Sequence, residues 1–327
     1  MVSALKLFAP AATGRLGERI AQHLGVDLAP LEEREFEDGE HKIRPLESVR
    51  GRDVYVVQSL FGDAEQTAND KLMRLLFLVG ALKDAGAGRV TAVVPYLAYA
   101  RKDRRSKPRD PVGTRYTAQL FEAVGVDRVV VLDVHNVAAY QNAFRCGAEH
   151  LEAAPLFVRE IEPLLRGTET TVVSPDAGGI KRADEFRRRL GAVTGRAPAF
   201  AFAEKYRSEG VLRGDAFVGD VEGRAVIIVD DLISTGTTMA RTALACRERG
   251  ARQVYAVATH AVFAAAANAV LRGEAFDRIF VTDSVPPLRV TDTALRAKLA
   301  TVSIAGLFAE AIRRLNGDGS LVELSLR

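Results

Sequence analysis

The segment VIIVDDLISTGTTM, residues 226–239, places two adjacent carboxylates between an apolar run and a loop rich in hydroxyls. The apolar run predicts a buried strand, and open α/β sheets bind ligands at the carboxyl ends of such strands. A helix is expected to begin near Met239, so the amides and hydroxyls of the preceding loop can form a cradle for an anion. Carboxylates would repel a phosphate, so Asp230 and Asp231 need other partners: sugar hydroxyls, a metal ion, or both.

This order of residues predicts a site for a phosphorylated sugar. Asp230 and Asp231 are expected to hold vicinal hydroxyls of the sugar. The phosphate is expected to lie on the loop formed by Ser234, Thr235, Gly236, Thr237 and Thr238. The segment has neither the Gly-x4-Gly-Lys-Ser/Thr spacing of a Walker loop nor a dinucleotide fingerprint, so both of those nucleotide loops are excluded here.

A second feature with chemical potential is the basic run RKDRRSKPR, residues 101–109. Two interpretations stay open from the residues alone: a solvated surface loop, and a binding site for an anionic ligand. The net charge of the chain, +3, is too small to indicate a nucleic-acid partner.

The composition indicates a globular protein, with 48% hydrophobic and 27% charged residues in a chain of 327, enough for two domains. No apolar run reaches the roughly 18–20 residues of a membrane span. The first residues show no basic region followed by a long apolar core, as a signal peptide would. Cys146 and Cys246 are far apart, without metal-ligand spacing, and are interpreted as buried thiols in a reducing compartment. We therefore expect a cytoplasmic protein that binds neither a membrane nor nucleic acid.

Strand-like apolar runs alternate with helical patterns along the chain. In the first half, strands are predicted at 54–58, 90–95 and 128–133, and helices at 70–85 and 115–124. In the second half, strands are predicted at 170–174, 225–230, 253–259 and 276–282, and helices at 179–190 and 238–249. This alternation predicts the α/β class, with mainly parallel sheets flanked by helices.

The stretches DVYVVQS…LLFLVGALKDAGAGRVTAVVPYLAYA and AVIIVDD…TALACRERGARQVYAVATHAVFA share one order of strand, loop, helix, Gly-Ala turn and strand. We interpret this as a duplicated α/β unit, although any two such units look broadly alike. The pattern breaks near 147–155, which predicts domains at 1–150 and 151–303. A last helix at about 304–316 is expected to pack back on the first domain.

Segment 226–239 resembles the motif that binds phosphoribosyl pyrophosphate (PRPP) in type I phosphoribosyltransferases and in PRPP synthases. Five further segments are similar to the synthases alone: FEDGE (36–40), NDKLM…YARKDR (69–104), VLDVHN (131–136), VVSPDAGGIKRA (172–183) and VGDVEGRAVIIVDD (218–231). The resemblance runs from about residue 5 to about residue 315. It is to the ribose-phosphate diphosphokinase family, and it implies two similar domains of the type I phosphoribosyltransferase kind.

The resemblance implies transfer of the diphosphoryl group of ATP to the 1-hydroxyl of ribose 5-phosphate, giving PRPP and AMP. It implies Mg²⁺ as the cofactor, held by His135 and Asp176. It also implies that Lys205 and Arg207, on a mobile loop, reach the β- and γ-phosphates as the catalytic cations. Such cations stabilise charge that develops in the transition state. No general base for the sugar hydroxyl is evident.

For ATP, the resemblance implies a site in the first domain and a phenyl ring for the adenine. The residues concerned are Phe36, Asp38, Gly39, Glu40, Arg101, Lys102, Asp103 and His135. In the family, Phe-x-Asp-Gly-Glu contacts ATP from a neighbouring subunit. The resemblance therefore implies a homo-oligomer with a shared ATP site, with a dimer as the building block and a hexamer as one assembly. The residues alone also fit a core phenylalanine and an Asp-Gly turn.

The sequence departs from the family at Lys102, where many members have Gln, and at Ser234, where an Asp is frequent. Two other functions are weighed beside the enzyme. A non-catalytic regulatory homologue would not need Lys205, Arg207, His135, Asp176 and both aspartates. A phosphoribosyltransferase that consumes PRPP would not need the duplicated domain or the FEDGE and ARKD segments.

Overall fold

The computed structural model describes residues 4–208 and 211–326, and for 204–208, 211–216, 325 and 326 it describes the backbone alone. The chain divides into two units. One unit contains the residues up to Glu152 and those from Ile304 onward, and the other contains Ala153–Ser303. No helix in the described ranges is long and apolar enough to cross a membrane.

The first unit is built on a parallel sheet with the strand order β1-β4-β5-β6-β7. Its strands are β1 (Leu5–Phe8), β4 (Asp53–Val57), β5 (Arg89–Val94), β6 (Arg128–Leu132) and β7 (Gly147–Leu151), and β2 (Leu31–Glu35) and β3 (His41–Pro45) form a separate hairpin. Its first helices are α1 (Gly14–Leu24), α2 (Ala68–Asp84), α3 (Gly113–Ala123) and α4 (Val137–Ala143). The strands predicted from apolar runs are buried because helices cover this sheet.

The second unit has a sheet with the order β10-β9-β8-β11-β12-β13-β14. The strands are β8 (Thr170–Ser174), β9 (Ala199–Ser208), β10 (Val211–Val218), β11 (Ala225–Leu232), β12 (Gln253–His260), β13 (Arg278–Thr282) and β14 (Leu299–Val302). The helices are α5 (Ala154–Ile161), α6 (Ile180–Thr194), α7 (Thr237–Glu248), α8 (Ala267–Leu271) and α9 (Thr293–Lys298). All pairs are parallel except β9 with β10.

The predicted α/β class with mainly parallel sheets is confirmed. Two of the differences concern the ends of elements. The strand predicted to stop at Asp230 continues to Leu232, because β11 keeps pairing with β12 as far as Leu232 opposite His260. Helix α2 begins earlier than predicted, at Ala68, since Thr67 and Asp70 form a reciprocal capping box.

The chain returns to the first unit through α10 (Ala305–Asn316), followed by α11 (Val322–Leu326). Helix α10 packs against α1. At its end, Asn316 donates to Asp53 of β4 at 2.8 Å, and Arg89 of β5 donates to the Leu315 carbonyl at 2.9 Å. These contacts join the last helix to the sheet that the first residues begin.

Candidate functional site

The two aspartates lie near the carboxyl end of β11, where successive side chains point to opposite faces of the sheet. The side chain of Asp230 is 21% exposed and that of Asp231 only 5%. Asp230 is therefore the more accessible of the two carboxylates, and Asp231 is almost fully buried. The Oδ1 atom of Asp230 accepts from the Asp231 amide at 2.8 Å, so the two residues are also locked to each other.

Arg182 of α6 holds both carboxylates. Its Nη1 lies 3.3 Å from Oδ1 of Asp230 and 3.6 Å from Oδ1 of Asp231. Burial raises the pKa of Asp230 well above its ordinary value, the charge of Asp231 adds to the rise, and Arg182 opposes it. Arg182 was not among the site residues predicted from the sequence. The feature that could have indicated it is a cation in the first turn of a helix, within the segment VVSPDAGGIKRA.

The loop after β11 has the geometry of an anion cradle. Gly236 has φ of +78° and is the N-cap of α7, so the loop turns directly into the positive end of that helix. Across the described residues, no group accepts a hydrogen bond from the amides of Ser234, Thr235 or Gly236. The hydroxyls of Thr235 and Thr237 lie 3.1 Å apart and are exposed. Amides without acceptors beside exposed hydroxyls suit a phosphate.

Two backbone hydrogen bonds fix this loop to the segment that follows β12. The carbonyl of Ile233 accepts from the amide of Phe263, and that of Ser234 accepts from Ala264, both at 2.9 Å. Ser234 therefore anchors the loop through its backbone, and replacing an Asp with Ser leaves this anchor unchanged.

Asp176 follows β8 and caps the short 3₁₀ helix Ala177–Gly179. Its Oδ1 accepts from the Gly179 amide at 3.0 Å, and its carbonyl accepts from the Ser174 hydroxyl at 2.7 Å. A Cβ at Gly179 would come within 2.9 Å of that hydroxyl, so the close turn requires glycine. Asp176 is half-buried, at the carboxyl end of β8.

In the first unit, the predicted ATP residues Arg101, Lys102 and Asp103 lie in the loop between β5 and α3. Arg101 is exposed. Lys102 donates to Asp110 at 2.6 Å and to the Ser106 hydroxyl at 3.0 Å, so its ammonium is used within the loop itself.

The loop after β6 approaches this same loop. Asp103 accepts from Nδ2 of Asn136 at 2.6 Å, while Oδ1 of Asn136 caps α4. Next to Asn136, His135 is exposed, and Asp133 has φ of +37°, an uncommon conformation for a residue other than glycine. The structure thus joins the loop that carries Asp103 to Asn136, the residue that follows His135.

The FEDGE residues form the turn of the β2–β3 hairpin, and all five are exposed. The turn is closed by the Phe36 amide, which donates to the Glu40 carbonyl at 2.8 Å, and by Gly39 with φ of +89°. The ring of Phe36 is 40% exposed, with the Arg34 guanidinium 5.1 Å from its centroid. Phe36 is therefore not a core residue. Within the described ranges, no hydrogen bond, ion pair or ring contact joins this turn to Arg101, Lys102 or Asp103.

Lys205 and Arg207 were expected on a loop, but their backbone belongs to β9, opposite β10. In that pairing, Lys205 faces Asp215 and Arg207 faces Leu212. The side chains of Lys205 and Arg207 lie outside the part of the chain that the structure describes.

A magnesium site has to be judged from its donors. No cluster of three or more His, Cys, Asp or Glu side chains able to hold a metal occurs among the described residues. Mg²⁺ typically keeps several waters and binds one or two carboxylates together with substrate phosphates. Asp176 fits that mode, because its cap uses Oδ1 and no described group contacts Oδ2. His135 supplies nitrogen, which this hard cation favours less.

Known proteins match nearly the full length of this chain. Residues 5–125 match the family model described as the N-terminal domain of ribose phosphate pyrophosphokinase, and residues 214–325 match the phosphoribosyl synthetase-associated domain. The chain is 38% identical to the ribose-phosphate pyrophosphokinase of Vibrio parahaemolyticus, covering 97% of this chain and 98% of that one. It is 35% identical to the Synechocystis enzyme of the same name, covering 97% and 91%.

A solved structure gives the same result for the fold. The phosphoribosylpyrophosphate synthetase of Mycobacterium smegmatis superimposes with a TM-score of 0.87 at 34% identity, covering 97% of this chain and all of that one. The similarity therefore extends over both units and is not confined to the loop after β11.

Proposed function

The chain belongs to the ribose-phosphate pyrophosphokinase family, and on that premise we propose how its residues divide the work of the reaction. It is an enzyme that transfers the diphosphoryl group of ATP to the 1-hydroxyl of ribose 5-phosphate, giving PRPP and AMP. Neither a regulatory homologue nor a phosphoribosyltransferase is favoured, since the relatives named as pyrophosphokinases match almost the whole chain.

We assign ribose 5-phosphate to the second unit. The observation that carries this proposal is the order of groups at the end of β11: paired carboxylates, then the amides of Ser234, Thr235 and Gly236 without acceptors, then exposed hydroxyls. Asp230 and Asp231 accept hydrogen bonds from ribose hydroxyls. The 5-phosphate lies on residues Ser234, Thr235, Gly236, Thr237 and Thr238, at the positive end of α7.

We assign ATP to the first unit, on Arg101, Asp103 and His135. Lys102 acts there through the shape of its loop, since Asp110 and Ser106 occupy its ammonium. The residues Phe36, Asp38, Gly39 and Glu40 complete the site from another copy of the chain, which makes the protein a homo-oligomer built from dimers. Support comes from the exposure of their turn and from the lack of contacts between the described residues of the turn and Arg101, Lys102 or Asp103.

Asp176 and His135 are the residues proposed to hold Mg²⁺, whose charge would offset that of the triphosphate when it is bound. Lys205 and Arg207 contact the diphosphoryl group and stabilise the charge that it develops in the transition state. The carboxylate pair orients the ribose, so that its 1-hydroxyl is held for in-line attack. We propose a cytoplasmic location, in keeping with the bacterial relatives.

The direct test is to incubate the protein with ATP, Mg²⁺ and ribose 5-phosphate and to measure AMP and PRPP. Equal amounts of both products are expected, because one diphosphoryl transfer yields one of each. Formation of neither product, with and without inorganic phosphate, would contradict the enzymatic function. Transfer of the phosphoribosyl group of added PRPP to a nucleobase, with release of pyrophosphate, would instead identify a phosphoribosyltransferase.

Replacing Lys205 tests its catalytic role. Lys205→Ala is expected to lower kcat by about two to three orders of magnitude, because a cation aimed at developing charge acts mainly in the transition state. The Kd for ATP should change little. The matched control is Lys83→Ala. Lys83 lies in the last turn of α2, and its Nζ atom is 3.0 Å from Oδ2 of Asp127. A Lys205→Ala rate like that of the control would remove Lys205 from the mechanism.

A further inference from the structure

Arg182 stands beside the carboxylates of the proposed sugar site without having been assigned a part in it. We propose that Arg182 is a positioning residue, which holds Asp230 and Asp231 in the orientation that accepts hydrogen bonds from the hydroxyls of ribose 5-phosphate. This inference rests on the proposed function of the two aspartates.

The geometry gives Arg182 access to both side chains at once. One nitrogen, Nη1, lies 3.3 Å from Asp230 and 3.6 Å from Asp231, and each distance is measured to an Oδ1 atom. The side chain of Asp230 remains 21% exposed beside this contact. An arginine can therefore fix the orientation of the pair while Asp230 stays accessible to a ligand.

The position of Arg182 in its helix supports a specific role. It is the third residue of α6, and cations are unfavourable near a helix N-terminus because that end carries partial positive charge. Its side chain is also only 28% exposed, so it is not a freely solvated surface arginine. The negative charge of the carboxylate pair compensates for the unfavourable position of this cation at the helix N-terminus.

The pair itself needs a cation. Burial raises the pKa of Asp230, and repulsion by the neighbouring carboxylate of Asp231 raises it further. Without Arg182, a proton shared by the pair would relieve the repulsion and take up an acceptor that a ribose hydroxyl requires. The loss would then appear in the binding of ribose 5-phosphate.

The same contact is also compatible with the opposite role, in which Arg182 weakens the binding of ribose 5-phosphate. If Arg182 closed the empty site by competing with the sugar for the carboxylates, its removal would strengthen the binding of ribose 5-phosphate. The two roles therefore differ in the sign of one measured quantity, the KM for ribose 5-phosphate.

The test compares Arg182→Gln, Arg182→Lys and the control Arg188→Gln. Arg188 is on the same helix, is 59% exposed and pairs only with Asp184 and Glu185 among the described residues. For Arg182→Gln, the KM for ribose 5-phosphate is expected to rise about tenfold or more, because charge-assisted hydrogen bonds are lost. The KM for ATP should stay within about twofold of the unmodified enzyme, and Arg182→Lys should restore part of the affinity by returning the charge.

Three results would overturn the inference: an unchanged KM for ribose 5-phosphate, a lowered one, or equal losses for Arg182→Lys and Arg182→Gln. Thermal unfolding of each variant identifies a general loss of stability. Asp230→Asn separates this inference from the proposed function. If that variant leaves the KM for ribose 5-phosphate unchanged, the sugar assignment itself fails. If it raises the KM while Arg182→Gln does not, only the role of Arg182 is wrong.

Discussion

Gly236 carries two constraints at one position of the proposed phosphate loop. Its φ of +78° is a conformation that costs other residues about 1–2 kcal/mol. In addition, a Cβ at this position would lie 2.7 Å from atoms of the Leu271 side chain. The first constraint concerns the backbone alone, and the second arises because the loop packs closely against Leu271 of α8.

Gly236→Ala is expected to raise the KM for ribose 5-phosphate by about tenfold or more and to lower the melting temperature, because the crowding displaces amides that face the phosphate. Gly223→Ala is the matched control, since Gly223 has φ of +68° in the same unit but no atom within 4 Å of an added Cβ. The control should lose only stability, which can be followed by thermal unfolding together with steady-state kinetics. A KM for ribose 5-phosphate that is unchanged in Gly236→Ala would show that the loop does not bind the phosphate.

The loop between β5 and α3 is organised by Asp110. Its Oδ2 accepts from Lys102, from the amide and hydroxyl of Ser106 and from the amide of Lys107. The hydrogen bond from Lys102 is the largest of the causes that hold the pKa of Asp110 far below its ordinary value. The carboxylate therefore stays charged and closes the loop at any pH near neutrality.

If Lys102 acts through loop shape, Asp110→Ala should raise the KM for ATP more than Lys102→Gln does. The reason is that removing the acceptor abolishes all four hydrogen bonds, whereas removing Lys102 leaves three. The comparison needs only the KM for ATP of both variants, with the KM for ribose 5-phosphate as the internal control. The reverse order would instead indicate that Lys102 contacts ATP directly.

Strand β4 and helix α10 are joined through Asp53, which is buried and accepts from Arg89, Asn316 and Tyr55. Burial alone would raise the pKa of Asp53, but these hydrogen bonds outweigh burial and lower it. A lowered pKa in the folded state means that Asp53 stabilises the protein above its unfolded-state pKa. That stability is lost as the pH falls through the folded-state value, which lies below about 4.

Asp53→Asn is expected to lower the free energy of unfolding at neutral pH by about 3 kcal/mol, because Arg89 then loses its charged partner. The same variant should show a weaker dependence of stability on pH below about 4 than the unmodified protein. Thermal unfolding between about pH 3 and about pH 7 measures both effects, and Asp184→Asn, an exposed ion-pair partner on α6, is the control. Parallel pH curves for the Asp53→Asn variant and the unmodified protein would contradict the role of Asp53.

Local signals were sufficient for most strands and helices, since apolar runs and three- and four-residue spacing are properties of a short segment. The order of carboxylates, amides and hydroxyls at the end of β11 was also predictable, because it belongs to one short segment. The burial of Asp231 was not predictable, because it depends on where α6 packs against β11. For the same reason the contact of Arg182 with the carboxylates, and that of Lys102 with Asp110, could not be inferred from spacing alone. Strand β9 was not predicted, because the resemblance placed Lys205 and Arg207 on a mobile loop.

The proposed shared ATP site can be tested by combining inactive chains. One variant carries Phe36→Ala with Asp38→Ala, and the other carries Arg101→Ala. If the turn and the loop of one site come from different chains, a hybrid contains one site with all the changes and one with none. The hybrid should therefore be more active than either variant alone.

Hybrids are obtained by co-expression with two different affinity tags and purified over both, and PRPP formation is measured. The matched control combines Arg101→Ala with Asp103→Ala, two changes in the same loop, for which no intact site can form and no recovery is expected. Recovery that is absent from the first hybrid, or a protein that is monomeric by light scattering, would contradict the shared site.

The division of the chain also governs how it can fold during synthesis. The first unit is not complete at Glu152, because α10, which packs on α1, is translated only after the 151 residues of Ala153–Ser303. During synthesis on the ribosome, the side of α1 that packs against α10 therefore stays uncovered until the whole second unit has been translated. The final step is then a contact of very long sequence separation, which is slow to form and leaves apolar surface open to chaperones and to aggregation in the meantime. Chains released before Ile304 would be expected to be cleared rather than to accumulate as a stable first unit.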